Sequence, residues 1–138
     1  MAIKTANSFH KADNINFILG DIRVDMPEGP FDNIVWDAAI EHFTEIEISS
    51  IMNRIKRILK HDGILSGYTI KEPEHEGKHL HQHEYEFHSA DDLARFFTPY
   101  FKNVQILTTI FPQRTNFYFF ASDQILPFDQ ENIYSISH

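Results

Sequence analysis

Two carboxylates, Asp21 and Asp37, are the side chains of this chain best placed to do chemistry, because each closes an apolar run. Asp21 follows Ile15-Asn16-Phe17-Ile18-Leu19-Gly20, and Asp37 follows Phe31-Asp32-Asn33-Ile34-Val35-Trp36. Both runs have strand length. In an open α/β sheet, small ligands bind just beyond the carboxyl ends of the strands. The spacing therefore predicts two acids on one rim of one sheet, at the ends of adjacent parallel strands. Gly20 beside Asp21 would let a flat ligand approach the backbone, although Gly-Asp is also common turn punctuation. Ala38 follows Asp37 directly, and His42 comes shortly after in Ile40-Glu41-His42-Phe43. An imidazole there either faces the pocket, where it could move a proton, or bonds nearby backbone at a helix entry.

A second group is His79, His81 and His83. On an extended segment they would point to one side, and three convergent imidazoles suit zinc or iron. A closed metal site needs fixed ligands, whereas Gly77, Lys78 and the surrounding charges read as a loop. Residues 71–86 are therefore expected to form a loop or lid on the substrate side, and no metal is expected.

Composition narrows the classes. With no Cys, disulfides, thiolate metal sites and cysteine nucleophiles are excluded. A net charge of −8 argues against nucleic acid and anionic membranes, since phosphate recognition needs clustered Lys and Arg. The one dense basic run, Arg54-Ile55-Lys56-Arg57 with Lys60, reads as the solvated face of a helix. No apolar stretch approaches the roughly 20 residues needed to span a bilayer, and no signal-peptide pattern opens the chain. A cytoplasmic protein is the expectation. A hydrophobic content of 42%, with thirteen Phe and five Tyr, supports one domain with an aromatic core.

The elements that must position these residues follow from periodicity. Ile3, Ala6 and Phe9 predict a short helix. Residues 15–19 read as a strand covered on both faces, and residues 31–36 as the next, after the Pro27-Glu28-Gly29-Pro30 turn. Thr44-Glu45-Ile46-Glu47 is a capping-box pattern. It opens a helix with Ile48, Ile51, Met52, Ile55, Ile58 and Leu59 on one stripe and cations near its end. Gly63 is expected to end this helix in the left-handed conformation, and residues 64–70 to form a strand parallel to 31–36. Ser89 caps a helix through Leu93, Phe96 and Phe97. Residues 104–110 and 116–121 then read as an antiparallel hairpin.

Several of these segments together carry a family resemblance. The run from Phe31 to Phe43 resembles the fourth-strand motif of the class I S-adenosylmethionine-dependent methyltransferases, Phe-Asp-x-Val followed by Leu-Glu-His-hydrophobic. Leu59-Lys60-His61-Asp62-Gly63-Ile64-Leu65 is similar to that family's Leu-Lys-Pro-Gly-Gly-x-Leu turn, with His61 and Asp62 as departures. Phe87-His88-Ser89-Ala90-Asp91-Asp92-Leu93 and Phe101-Lys102-Asn103-Val104 resemble its late segment. The resemblance runs from about residue 2 to 123 and matches the later half or two-thirds of such an enzyme. No match to the glycine-rich cofactor loop is present.

The resemblance implies an α/β, Rossmann-like methyltransferase fold, N-terminally truncated, with a mostly parallel sheet and an antiparallel C-terminal hairpin strand. Residues 1–138 would form a single, partial methyltransferase-like domain. It implies S-adenosyl-L-methionine as cofactor, with Asp21 accepting from the adenine amine and the Ile22 amide facing the ring. Gly20, Asp37, Ala38 and His42 would complete the cofactor rim, where Asp37 meets the cofactor's ammonium or the substrate. The implied activity is methyl transfer to a small-molecule or glycan-like acceptor, with no catalytic residue assignable. The alternative is a non-catalytic interaction module that has lost cofactor binding. A small-molecule substrate and a homo-oligomer or complementing segment are the expected partners, without membrane or nucleic acid.

Overall fold

The computed structural model describes residues 2–10, 12–71, 84–126 and 133–135. The order of elements is α1 (Ala2–Phe9), β1 (Phe31–Val35), a 3-10 turn (Ile40–His42), α2 (Glu45–Ile58), β2 (Leu59–Ile70), α3 (Ala90–Ala94), β3 (Asn103–Ile110), β4 (Thr115–Ser122) and β5 (Ile133–Ser135). The strands form one sheet in the order β1-β2-β4-β3-β5. β1 runs parallel to β2, whereas β4 runs antiparallel to both β2 and β3. The α/β class and the β3–β4 hairpin are thus as the sequence predicts.

α2 forms because its apolar residues recur on one stripe and its start is closed chemically. Thr44 accepts from the Glu47 amide, and the Glu47 carboxylate accepts from the Thr44 amide. Ile48, Ile51, Met52 and Ile55 are buried against the sheet. The facing sheet residues are Leu65, Phe117, Phe119 and Ala121, with Leu93 and Phe97 alongside. Full burial of each large aliphatic or aromatic side chain contributes roughly 1.5–3 kcal/mol, so this layer holds the fold. The opposite face is half-buried around the Tyr68–Tyr118 ring pair, whose centroids lie 5.5 Å apart.

Three expectations are corrected. Residues 15–19 are not a strand. They form no ladder, and Ile18 and Leu19 are 58% and 82% exposed. Apolar composition alone does not make a strand; a neighbouring edge must satisfy its amides and carbonyls. Gly63 does not end the helix in left-handed backbone. The C-cap, Leu59, is already extended, and α2 passes directly into β2. The extra residues are absorbed where the β1–β2 register slips between Phe31 and Asn33. Glycine is needed at 63 for close approach, since a Cβ would lie 2.7 Å from Leu59 Cδ1 and 2.9 Å from the Asp32 carbonyl oxygen. Finally, α3 stops at Ala94, and turns carry the chain through Phe96 and Phe97.

Candidate functional site at the carboxyl end of β1

β1 ends in a bend that its neighbour fixes. The Trp36 amide donates to the Ser66 carbonyl (2.8 Å) and the Ala38 amide to the Tyr68 carbonyl (2.9 Å). Between them Asp37 leaves the sheet, exposed. Ala38 has φ of 46°. A non-glycine residue in this region is uncommon and costs on the order of 1–3 kcal/mol. The bend persists because both sides are anchored: Trp36 is buried before it, Ile40 and Glu41 after it. Gly67 permits the contact, because a Cβ there would stand 2.1 Å from the Trp36 carbonyl oxygen.

Glu41 is the polar anchor. Its carboxylate accepts from the Thr69 hydroxyl (3.0 Å), and its main-chain oxygen accepts from the Glu84 and Tyr85 amides. The turn is thereby tied both to β2 and to the segment before α3. His42, next in sequence, is exposed. Further out, the Tyr85 hydroxyl donates to Asp92 (2.7 Å), and Arg95 reaches Asp92 (3.1 Å) and Glu45 (2.6 Å) while lying over the Phe96 ring. Burial pushes the Tyr85 hydroxyl pKa up. Burial also disfavours charge on Asp92, but hydrogen bonds from Tyr85, Arg95 and the His88 amide outweigh it and hold that carboxyl below its ordinary range.

Asp21 reaches the same end of the sheet by another route. Arg23 grips its carboxylate through Nε and Nη2, with Nη2 at 2.7 Å, and extends Nη1 to Glu47 in the first turn of α2. α2 starts just past the carboxyl end of β1, so this clamp sits there too. Hydrogen bonds from Arg23 pull the Asp21 pKa down to about 2. Thus Asp21 stands near the expected rim, yet not at the end of a strand next to β1, because that strand does not form. Gly20 is exposed, a Cβ there would stand 3.3 Å from the Asp25 carbonyl oxygen of its own loop, and Ile22 is turned inward. Ile22, Met26, Ile34, Trp36, Ile51 and Ile55 line an apolar cavity of about 260 Å³ under the β1 edge.

Of the residues expected at the rim, the fold brings Asp37, Ala38 and His42 together at the bend and holds Gly20, Asp21 and Ile22 in a clamped loop. His79, His81 and His83, with residues 72–83 of the expected lid, lie outside the described residues. Among the described residues no cluster of three His, Asp or Glu could hold a metal, and no helix is long and apolar enough to cross a membrane. Sequence reasoning missed Thr69 as the partner of Glu41 and missed the Arg23 clamp. An acid flanked by Ile40 is the one signal that could have marked Glu41 as buried.

A family model described as "Methyltransferase domain" matches residues 1–67, just under half of the chain. Solved methyltransferase structures superpose on most of it. Human N-acetylserotonin methyltransferase in complex with SAM matches with a TM-score of 0.66 and 16% identity, over 89% of this chain and 38% of its own. The fold is therefore one this chain shares with solved methyltransferases, and its first 67 residues match the methyltransferase model. LepI in complex with SAM matches at a TM-score of 0.66 and 9% identity, over 87% of this chain and 33% of its own. A protein from Pyrococcus horikoshii OT3 matches at 0.59 and 15% identity, over 88% of this chain and 64% of its own. This chain therefore spans about a third to two-thirds of the length of these structures. No curated protein matches it in sequence.

The residues here fit S-adenosylmethionine only in part. Asp37, Ala38 and His42 offer an exposed carboxylate, a fixed bend and an imidazole at the rim. On the Gly20–Asp21–Ile22 side, Arg23 bonds both Asp21 oxygens, so a ligand amine would share that carboxylate with the guanidinium.

Proposed function

We propose that this chain takes part in S-adenosylmethionine-dependent methylation of a polar small-molecule or glycan-like acceptor, with Asp37, Ala38 and His42 on the ligand rim. The observation that carries the reading is the left-handed bend at Ala38, kept at a cost directly beyond β1 within the region matched to the methyltransferase family. Strained backbone concentrates at functional sites. The polar nature of the acceptor draws support from Asn116 and Thr109. They pair across the β3–β4 hairpin beside the end of β2, and both amide atoms of Asn116 and the Thr109 hydroxyl are buried without a partner. Methyl transfer needs nucleophile and methyl carbon held in line, so positioning supplies most of the catalysis.

A second reading, an interaction module without cofactor, draws support from the grip of Arg23 on Asp21. Calorimetry and amide NMR with S-adenosylhomocysteine separate the two. Micromolar binding requires about 8 kcal/mol, and a lone adenine contact offers roughly 1–3 kcal/mol. Weaker than micromolar binding is expected, with shifts at Asp37, Ala38 and His42 that vanish in Asp37→Ala. No shift at saturating ligand would establish the interaction module instead. Micromolar affinity would show that the clamped loop opens for the cofactor.

A further inference from the structure

His42 stands on a turn with little of its own to hold it. The Ile40–His42 turn has two internal bonds, from the His42 amide to the Ala39 carbonyl (3.1 Å) and from the Phe43 amide to the Ile40 carbonyl (3.3 Å). No side chain caps its start. Short 3-10 turns have poor hydrogen-bond geometry, and this one follows the left-handed bend at Ala38. Such backbone persists only where its surroundings over-determine it. Thr69 supplies one constraint, at the Glu41 carboxylate. Two more come from a single segment, residues 84–95.

That segment grips the chain on both sides of His42. Before it, the Glu41 main-chain oxygen accepts from the Glu84 (2.9 Å) and Tyr85 (3.1 Å) amides. After it, Arg95 Nη2 donates to Glu45, the first residue of α2 (2.6 Å). Tyr85 joins the two grips. Its hydroxyl accepts from the same Arg95 Nη2 (2.5 Å) and donates to Asp92 (2.7 Å). Its ring packs on the buried Phe87 and Phe96, with centroids at 4.8 and 5.2 Å. Tyr85 is thus fixed at ring, hydroxyl and main-chain amide. We propose that Tyr85 is a positioning residue for the rim, setting with Arg95 where His42 stands relative to Asp37. This rests on the reading of Asp37, Ala38 and His42 as the ligand rim, and every contact involved lies between residues 37 and 96. Arg95 and Glu45 are 46% and 54% exposed, and exposed ion pairs add little stability. Loosening the tie should therefore release the turn while leaving the melting temperature nearly unchanged.

Amide NMR and hydrogen exchange on the ligand-free chain test the positioning. Tyr85→Phe keeps the ring and the main-chain amide and removes only the hydroxyl. The Ala38 and His42 signals should then shift, and the residue-85 amide should exchange about ten-fold faster, with Phe119 in the sheet unchanged. Glu45→Gln, at an exposed site, should give shifts in the same direction and of smaller size. If Tyr85→Phe does not fold, Glu45→Gln decides by the same criteria. Unmoved Ala38 and His42 signals would overturn the proposal. So would equal changes at Phe119, which mark a merely structural role. S-adenosylhomocysteine is then added. A turn held in place only a third of the time raises the apparent dissociation constant about three-fold, and Tyr85→Phe should show a rise of this order at His42. An unchanged constant would overturn the role at the rim. No ligand shift in the unaltered chain would overturn the ligand-rim reading alone, because the ligand-free spectra decide the positioning of His42.

Discussion

The part of the sheet formed by β2, β4 and β3 and the first 35 residues of the chain are built to different standards. In the former, Leu65, Phe119 and Ala121 are fully buried, and the face that carries them packs against α2. In the latter, apolar residues of similar type stand in solvent, and the loop is held instead by ion pairs at the surface. The difference teaches that burial follows from neighbours. An apolar run becomes a strand where an edge is offered to it, and residues 15–19 have none within this chain.

The largest contrast is expected between two apolar truncations. Phe119 is fully buried and lies 4.7 Å, centroid to centroid, from Phe97. Phe119→Ala should cost ~3–5 kcal/mol, the range for deleting a core aromatic. Leu19→Ala should stay within about 0.5 kcal/mol, as surface substitutions do. Urea unfolding measures both. A Leu19→Ala cost comparable to that of Phe119→Ala would mean that residues 15–19 are packed after all.

A glycine pair sharpens the same contrast. At Gly67 a Cβ would meet the Trp36 carbonyl oxygen at 2.1 Å and the Phe119 ring at 2.5 Å. The Trp36 carbonyl cannot retreat without parting β1 from β2, so Gly67→Ala should cost about 1–3 kcal/mol or more and shift the Ala38 amide in NMR spectra. Gly20→Ala meets Asp25 in a loop, its carbonyl oxygen at 3.3 Å and its carboxylate oxygen at 3.5 Å, and should change stability by no more than about 0.5 kcal/mol.

These particulars explain how far the sequence could be read. The capping box at Thr44, the α2 stripe, the parallel β1–β2 pair and the β3–β4 hairpin all rest on local spacing, and all are present. Asp37 and Ala38 stand just past the end of β1 because the run from Phe31 sets the length of that strand. The Arg23 grip on Asp21 was not legible, because a two-residue ion pair leaves no periodic signal. Nor was the bond from Thr69 to Glu41, which joins residues 28 apart through the fold. Gly63 misled for a related reason: a glycine after a helix signals either a left-handed cap or a close approach, and only the position of Asp32 decides.

Polar anchors give smaller effects of opposite sign. Thr69→Val leaves the buried Glu41 carboxylate without its hydroxyl donor and should cost roughly 1–3 kcal/mol. Asn116→Leu removes two unpartnered amide atoms and should be neutral or slightly stabilising, since replacing unpaired polar groups by an apolar side chain of similar size lifts their desolvation cost. Thermal melts compare the two. A destabilised Asn116→Leu would mean that the amide is satisfied in solution by bound water.

The smallest effect is expected at the clamp, and its pH dependence carries a definite sign. Hydrogen bonds from Arg23 bring the Asp21 pKa down from 3.8 to about 2. The folded-state value lies below the ordinary one, so the clamp's contribution is fully present above about pH 4 and is lost as pH falls through about 2. Both partners are exposed and salt screens them, so global stability should barely move. Carboxyl NMR reads the site directly: Asp21 should titrate near 2 in the unaltered chain and return towards 3.8 in Arg23→Gln. Loosening the clamp should also free Ile22 and Met26 from the cavity and release the carboxylate for a ligand. Arg23→Gln should therefore bind S-adenosylhomocysteine more tightly than the unaltered chain. If Asp21 titrates near 3.8 without any substitution, the clamp is open in solution, and the contrast between its side of the rim and the Asp37 side disappears.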